Sequence, residues 1–431
     1  VLALPHIPAA GAGRPLLVGL SGGLDSTVLL QLLAASSDAR ARGLRALHVH
    51  HGLHPGADTW AALCQQLCDD LGIELTIIRA QVRRDGGEGL EAAARHARYA
   101  AFDAAMRDDD VLVLAHHRDD QAETFLLRAL RASGPDGLAA MRAWRTFGRG
   151  WLWRPLLEVP RPELLRHAQQ HGLQWIDDAS NADTAFDRNF LRHRVLPLLR
   201  ERWASADAAL ARSAELCAQA ADLLDEEDVA ALAGVRDGDG HRLDVPRLLL
   251  LGKARRARVL RRWIAGLALA PLPAQAIARI ESELLRAAPD AQPQVEWSGA
   301  WIRRWRSALH AGRRQVPWPD AWMVEWDGSQ PLRLPDDGSL HLDGAPAFDA
   351  PMRVRARQGG ERITLPGRAH SHSLKHVLQA CDVPPWQRAQ LPLLFAADGG
   401  LLAAGDSIMS AAMAAWLHER GAHLRHVAGN D

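Results

Sequence analysis

Apolar runs alternate with helical patterns through the first 130 residues, and this alternation restricts the fold more than any other feature of the chain. Leu16–Leu20 reads as a buried strand followed by a helix to about Ala35. Leu44–His50 leads into a helix from about Asp58 to Leu71, and Glu74–Ala80 into one from about Gly89 to Met106. Val111–Ala115 leads into one from about Asp119 to Arg131. Short apolar strands joined by helices call for a parallel sheet covered on both faces. The expected class is therefore α/β, with an N-terminal doubly wound parallel sheet. In such sheets ligands gather at the carboxyl ends of the strands. Three polar clusters fall there: Ser21–Ser26 after the first strand, His50-His51-Gly52 after the second, and His116–Gln121 after the fourth.

The pattern changes beyond residue 130. Residues 133–160 carry Gly134, Pro135, Gly137, Gly148, Gly150, Pro155 and Pro160 with no long period. Pro162–His171 reads as a helix and Arg188–Ala221 is helix-rich. Residues 243–313 read as another unit with a helix around Lys253–Ala265, and the Pro- and Asp-rich stretch 316–350 as linker or irregular hairpins. The expected division is 1–222, a mainly helical middle domain 223–315, the linker 316–350, and a small mixed α+β domain 351–431.

A length of 431 residues exceeds one ordinary core. The chain is 48% hydrophobic and 24% charged, a globular composition. No run of about 18 apolar residues suggests a membrane span, and Val1–Ala12 lack the pattern of a secretory signal. Cys64, Cys68, Cys217 and Cys381 are too few for a disulfide framework and suit a reducing compartment, so the cytoplasm is expected. The formal net charge is zero, so any polyanion would have to meet a local basic surface.

Ser21-Gly22-Gly23-Leu24-Asp25-Ser26 is the most informative segment. Adjacent glycines let the backbone approach a phosphate closely. The turn opens a helix whose first amides lack partners and whose dipole favours an anion. Ser21 and Ser26 add hydroxyl donors, and Asp25 suits Mg²⁺ held through phosphate. The spacing is not that of a Walker loop, which ends in Gly-Lys-Ser/Thr. It matches the pyrophosphate loop Ser-Gly-Gly-x-Asp-Ser, whose members cut ATP between the α and β phosphates.

His116 and Asp120 are four apart, as are Asp119 and Glu123, so each pair shares a helix face. Asp119 also suits a cap. His48, His50, His51 and His54 crowd the second strand end; Cys64 and Cys68 are spaced C-x3-C, which is not a zinc knuckle. Arg95 and Arg98 are placed to clamp phosphate or to form a solvated face. From Arg128 to Arg154 there are six arginines (128, 131, 142, 145, 149 and 154) against Asp136, with Trp144, Trp151 and Trp153 among them. Arginine with aromatics suits an unstacked base and its phosphates; the alternative is core tryptophans and solvated arginines. Lys253-Ala254-Arg255-Arg256-Ala257-Arg258 with Arg261 and Arg262 reads as a phosphate-contacting helix or a solvated face.

Taken in order, these segments resemble the tRNA(Ile)-lysidine synthetases, within the pyrophosphate-loop superfamily of adenine nucleotide alpha-hydrolase-like, Rossmann-like folds. The resemblance runs through Ser21–Ser26, His48-Val49-His50-His51-Gly52-Leu53, Ala97-Arg98-Tyr99 and His116-His117-Arg118-Asp119-Asp120-Gln121-Ala122-Glu123-Thr124. It continues through Ser133-Gly134-Pro135-Asp136-Gly137-Leu138, Arg154-Pro155-Leu156-Leu157 and Trp175-Ile176-Asp177-Asp178-Ala179-Ser180-Asn181. Asp187-Arg188-Asn189-Phe190-Leu191-Arg192 and Val383-Pro384-Pro385-Trp386 complete it.

The resemblance implies a ligase. ATP adenylates the C2 oxygen of the wobble cytidine (position 34, CAU anticodon) of tRNA(Ile); the ε-amine of L-lysine then displaces AMP, leaving lysidine. It implies that Ser21, Gly22, Gly23, Leu24, Asp25 and Ser26 bind ATP, with Asp25 toward Mg²⁺. It implies that Arg98 steadies phosphate, that Asp119 and Asp120 hold metal or orient the lysine, and that His116 accepts a proton. Arg131, Arg145, Arg154, Arg188, Arg192, Arg255, Arg256, Arg258 and Lys375 are the expected tRNA contacts. A homodimer is left open.

Two departures stand out. The family has Arg-Gly-Ser-Gly where this chain has Arg131-Ala132-Ser133-Gly134, which puts the local loop shape in question. The lysine-rich C-terminal helix is replaced by His370-Ser371-His372-Ser373-Leu374-Lys375-His376, implying a weaker or pH-sensitive tRNA contact. The alternatives are a tRNA thiolase using Cys64 and Cys68, and a non-catalytic protein that binds ATP and tRNA.

Overall fold

The computed structural model describes the chain apart from residues 1, 6, 53–55, 81–89, 179–181, 239–240, 289–290, 292, 315–316, 320, 428 and 430–431. Leu53, His54, the expected helix start at Gly89 and the Ala179–Asn181 part of its motif lie outside the described residues. Two compact units emerge, Val1–Glu227 and Asp228–Asp431.

The first unit runs β1 (Leu16–Gly19), α1 (Leu24–Ala34), α2 (Ser37–Ala41), β2 (Arg45–His50), α3 (Ala57–Leu71), β3 (Glu74–Arg79), α4 (Leu90–Ala105), β4 (Val111–Val113) and α5 (Arg118–Ala129). After these come α6 (Pro135–Leu138), β5 (Trp144–Phe147), β6 (Gly150–Trp153) and α7 (Arg161–Gln170). Then α8 (Asp187–Phe190), a π-helical turn Leu191–Val195, α9 (Leu196–Arg202) and the long α10 (Ala206–Val235). One six-stranded sheet has the order β3-β2-β1-β4-β6-β5, parallel except for the edge strand β5.

The strands are apolar throughout because both faces are covered. Leu16 and Val18 point into one core with Val28, Leu29 and Leu33 of α1. Leu17 between them joins Leu47, Phe102 and Leu112 on the opposite face. Neighbours β2 and β4 leave β1 in opposite directions along the sheet, so the order reverses at β1/β4. A ligand crevice opens at such a switch point. The ends of β1 and β4 carry Ser21–Ser26 and His116–Asp120.

Residues 133–160 hide a hairpin: β5 and β6 are antiparallel, turning at Gly148 with φ +51°. Trp144 and Trp151 stack at 5.4 Å and 22° and pack on the core, where Trp153 is buried. These tryptophans are core residues and not the base-stacking platform the sequence allowed.

In the second unit, helices α11 (Val245–Leu250), α12 (Lys253–Gly266) and α13 (Ala274–Arg279) accompany strands β7 (Arg236–Asp237), β8 (Arg242–Asp244), β9 (Gln294–Trp297), β10 (Ala300–Trp305) and β11 (Ala308–Arg313). Those strands form a sheet of order β7-β8-β11-β10-β9. The stretch 316–350 is not a linker. Its strands β12 (Met323–Trp326), β13 (Leu332–Arg333) and β14 (Ser339–Asp343) belong to sheets with β15 (Met352–Arg355) and with the C-terminal strand His423–Val427. The expected 222/223 boundary falls inside α10. Among the described residues no helix is long and apolar enough to cross a membrane.

Candidate active site at the carboxyl ends of β1 and β4

A cavity of about 700 Å³ opens at the switch point. Its lining includes Ser21, Gly23, Asp25, Ser26, Arg98, His116, Asp120, Ile176, Arg188 and Arg192. The first strand, the fourth strand, α4 and α8 thus meet at one space, bringing together most of the expected ATP-contacting residues.

The glycine loop is braced from within. Ser26 Oγ receives the Ser21 N–H at 3.2 Å and donates to the Gly23 carbonyl at 3.1 Å. The Ser21 and Ser26 hydroxyls lie 3.0 Å apart. Gly22 has φ +83°, and a Cβ there would sit 2.4 Å from Ile176 Cδ1 and 2.9 Å from Cys64 Sγ. Only glycine meets both demands. The Ile176 N–H donates to the Gly22 carbonyl at 2.9 Å, tying the Trp175–Asp178 segment to the loop. Gly23 caps α1, whose first amides open toward the cavity without helical partners.

Asp25 and His117 link the two strand ends. His117 caps α5, with Nδ1 accepting the Asp120 N–H at 3.4 Å, and the Asp120 carboxylate accepts the His117 N–H at 3.1 Å. His117 Nε2 lies 3.5 Å from both Asp25 Oδ2 and Asp120 Oδ2. Burial alone would lower the His117 pKa, but the carboxylates of Asp120 and Asp25 outweigh it and raise it. Asp25 Oδ1 is buried with no hydrogen-bond partner among the described residues. An unsatisfied carboxylate oxygen beside helix amides fits a hard divalent cation.

Beneath this lies a charge network. Glu123, fully buried, takes the Arg188 Nε at 2.7 Å and the Arg192 Nε at 2.7 Å. Both guanidinium groups also reach Asp120 Oδ1, at 3.3 and 3.1 Å. Burial opposes ionisation of Asp120, but His117 and Arg188, then His116 and Arg192, hold its pKa well below the carboxylate range. Arg188 and Arg192, expected tRNA contacts, are thus paired with Asp120 and Glu123 at the cavity wall. Arg98 also lines the cavity; burial and then Arg95 lower its pKa, as expected of a guanidinium inside a positive site.

Three other expectations change. Asp119 has both oxygens engaged, Oδ1 by the Arg161 N–H at 3.0 Å and Oδ2 by Arg200 at 2.8 Å. It anchors α7 and α9 and is not among the cavity-lining residues, whereas Asp120 lines the cavity with Asp25. Arg154, an expected tRNA contact, is buried and donates from Nη1 to the Arg142 carbonyl at 2.7 Å, so it is not displayed on the surface. His116 receives the Arg154 Nε–H on Nδ1 at 3.2 Å. Burial in the first place sets its pKa well below 6.5, Arg154, Arg188 and Arg98 adding to this against Asp120. The Nδ1 lone pair of His116, the residue expected to accept a proton, is thus engaged by Arg154.

Cys64 and Cys68 are buried, and burial pushes their thiols up to about 12 and about 11. Cys64 Sγ is 3.5 Å from His48 Nδ1, which also meets the Leu20 carbonyl at 2.9 Å. Such thiols are packing groups, not nucleophiles. No cluster of three or more His, Cys, Asp or Glu suited to a metal occurs among the described residues.

Of the remaining basic residues, Arg131 and Arg145 are exposed, and Arg131 lies 3.7 Å from Asp187. In the second unit Arg255 and Lys375 are exposed, whereas Arg256 pairs with Glu281 at 2.7 Å and Arg258 with Asp228 at 2.5 Å.

A glycine loop between the first strand and helix of a parallel sheet, facing an aspartate and a basic wall at the switch point, defines the class of pyrophosphate-loop, ATP-using domains. The PP-loop domain family model matches residues 6–199, the TilS substrate binding domain matches 243–310 and the TilS substrate C-terminal domain matches 352–426. The chain is 54% identical over 424 residues to a tRNA(Ile)-lysidine synthase of Xanthomonas campestris pv. campestris, covering 98% of this chain and 96% of that one. It is 52% identical over 433 residues to one of Xylella fastidiosa, covering 99% and 98%. Similarity of this extent makes the chain a member of the tRNA(Ile)-lysidine synthase family. A crystal structure of a TILS C-terminal domain is also similar, at 24% identity and TM-score 0.21, covering 26% of this chain and 98% of that one.

Proposed function

We propose that this protein joins L-lysine to C2 of the wobble cytidine of tRNA(Ile) bearing a CAU anticodon, with ATP consumed to AMP and pyrophosphate. Family membership supports this reading, and the observation that carries it is the braced loop at Ser21–Ser26 opening into the cavity with Asp25, Arg98 and Asp120. The C2 oxygen of cytidine forms a bond to the α-phosphorus of ATP. The bond from that phosphorus to the bridging oxygen breaks, and its electron pair leaves with pyrophosphate. The lysine ε-ammonium gives one proton to solvent and the resulting amine attacks C2; the C2–O bond breaks as AMP departs with that oxygen, and the new nitrogen loses a second proton.

The chain's own groups serve the first step by position and charge. The loop amides and the Ser21 and Ser26 hydroxyls hold the outer phosphates, and Arg98 meets charge that builds on the leaving group. Asp25, whose Oδ1 has no partner among the described residues, would hold Mg²⁺, which when bound would supply further neutralisation of that charge. Asp120, ionised and held by Arg188, Arg192 and the His117 N–H, fixes the cavity wall together with Glu123. On this reading the enzyme is a carbon–nitrogen ligase.

The test is nucleoside mass analysis of tRNA(Ile) after incubation with the full chain, ATP, Mg²⁺ and isotopically labelled lysine. The expected product is a cytidine carrying lysine at C2, absent with Asp25→Ala. Unchanged cytidine without pyrophosphate release would indicate a binding protein, and a sulfur-bearing base a thiolase; either result removes the reading.

A further inference from the structure

We propose that Arg154 is a positioning residue that fixes His116 in the tautomer with its proton on Nε2, so that His116 serves the reaction as a hydrogen-bond donor. The proposal rests on the proposed function for the identity of the oxygen that His116 meets, and on geometry alone for the tautomer.

Adjacent parallel strands bring the two residues together. Val113 of β4 is in register with Trp153 of β6, and the Leu114 N–H continues the ladder to the Trp153 carbonyl at 3.0 Å. Arg154 therefore leaves its strand end beside the strand end that carries His116. It is held by its N–H to the Ala143 carbonyl at 2.8 Å, Nη1 to the Arg142 carbonyl at 2.7 Å, and Nε to His116 Nδ1 at 3.2 Å, with Tyr99 also beside the guanidinium. Arg154 is 4% exposed, so water does not compete for these bonds.

A guanidinium can only donate. Its neighbour Nδ1 must therefore carry the lone pair, and the single proton of a neutral imidazole must sit on Nε2. Protonation of Nδ1 would place two donors against each other in a buried site. The groups around the imidazole are Asp120 on α5, Arg98 on α4, Arg188 on α8 and Arg154 itself, a net positive set that agrees with a neutral ring. His116 lines the cavity, and the remaining polar atom it has to offer there is an N–H. In adenylation, negative charge grows on the oxygens around the α-phosphorus. A neutral imidazole N–H stabilises that charge without giving up its proton, as a fixed dipole aimed at a developing anion does. No proton passes through His116 in this step.

The experiment uses the full chain with ¹⁵N-ring-labelled histidine, the His116 signal being assigned by its loss in His116→Gln. In the unsubstituted protein the long-range ¹⁵N–¹H spectrum at pH 7.5 should show a single neutral tautomer protonated at Nε2. Arg154→Leu should convert the signal to a mixture of tautomers and lower kcat for tRNA-dependent pyrophosphate release by about 10- to 100-fold, with KM for ATP within about twofold. Arg154→Lys keeps a cationic donor and should recover part of both, which a purely structural loss would not allow. An Nδ1-protonated His116 in the unsubstituted protein overturns the proposal. So does an unchanged tautomer with unchanged kcat in a folded Arg154→Leu. The tautomer is read without turnover, so a chain that makes no lysidine but shows the Arg154-dependent tautomer loses the proposed function and keeps the positioning role.

Discussion

Ala132 holds φ at +53°, in the left-handed region that a side chain enters at a cost. It closes α5, with the Ala132 N–H on the Ala129 carbonyl at 3.0 Å and the Ser133 N–H on the Arg128 carbonyl at 3.1 Å. This is the position where the family motif has glycine, and the need for a positive φ is the physical reason. The alanine therefore carries left-handed strain at this turn. Ala132→Gly should stabilise the protein by about 1 kcal/mol, since relief of left-handed strain exceeds the entropy that glycine adds to the unfolded chain. A urea midpoint that stays or falls would refute the strain. Asp120 makes a second residue-scale case. Its folded pKa lies below the ordinary 3.8, so its stabilisation is fully present above that value and lost as pH falls toward the folded one. Asp120→Asn should flatten the loss of stability in that acid window. A urea series showing the same steepness below about pH 4 in both proteins would contradict this.

Helix α12 shows how one element divides its charges. Val259, Leu260, Trp263 and Ile264 are buried against the second unit's core. Arg256 and Arg258 lie beside that face and are spent on Glu281 and Asp228, whereas Lys253, Arg255 and Arg261 are exposed. Replacing those three exposed residues by alanine should reduce the slope of log K against log salt for tRNA by roughly two to three, one per lost phosphate contact. Arg256→Ala should instead lower the unfolding midpoint and leave that slope alone. Equal slopes for the triple variant and the parent would mean that the helix touches no phosphate. The amphipathic pattern of α12 was legible because helical neighbours are close in sequence, as was the strand–helix alternation before residue 130. Partners far apart were not legible. Glu123 meets Arg188 and Arg192 across 65 and 69 positions. β14 pairs with the neighbouring β13 and with the distant strand His423–Val427, and that second distance left a Pro- and Asp-rich strand region reading as linker or irregular hairpins. The β5–β6 hairpin was missed because four-residue strands leave too few alternations to count. In the site, the loop at Ser21–Ser26 was legible because its chemistry is local. The donor role of His116 was not, because Arg154 comes from another strand end.

At the scale of the whole molecule, exposed basic residues occur on both compact units, among them Arg131 and Arg145 on the first and Lys253, Arg255, Arg261 and Lys375 on the second. The cavity that would take the wobble base belongs to the first unit alone. If both units grip the same tRNA, contacts on the second add binding without adding chemistry, and their loss should appear in KM rather than kcat. Full-length tRNA(Ile) should therefore be modified with a kcat/KM about tenfold or more above that of an isolated anticodon stem–loop, at similar kcat. Replacing Lys253, Arg255, Arg261 and Lys375 together by alanine should erase that advantage while leaving stem–loop turnover within about twofold, because nothing in the cavity has changed. Steady-state kinetics on the two substrates decides the matter. A stem–loop modified as efficiently as the intact tRNA would confine recognition to the first unit, and an intact advantage in the fourfold variant would place the added contacts on other residues.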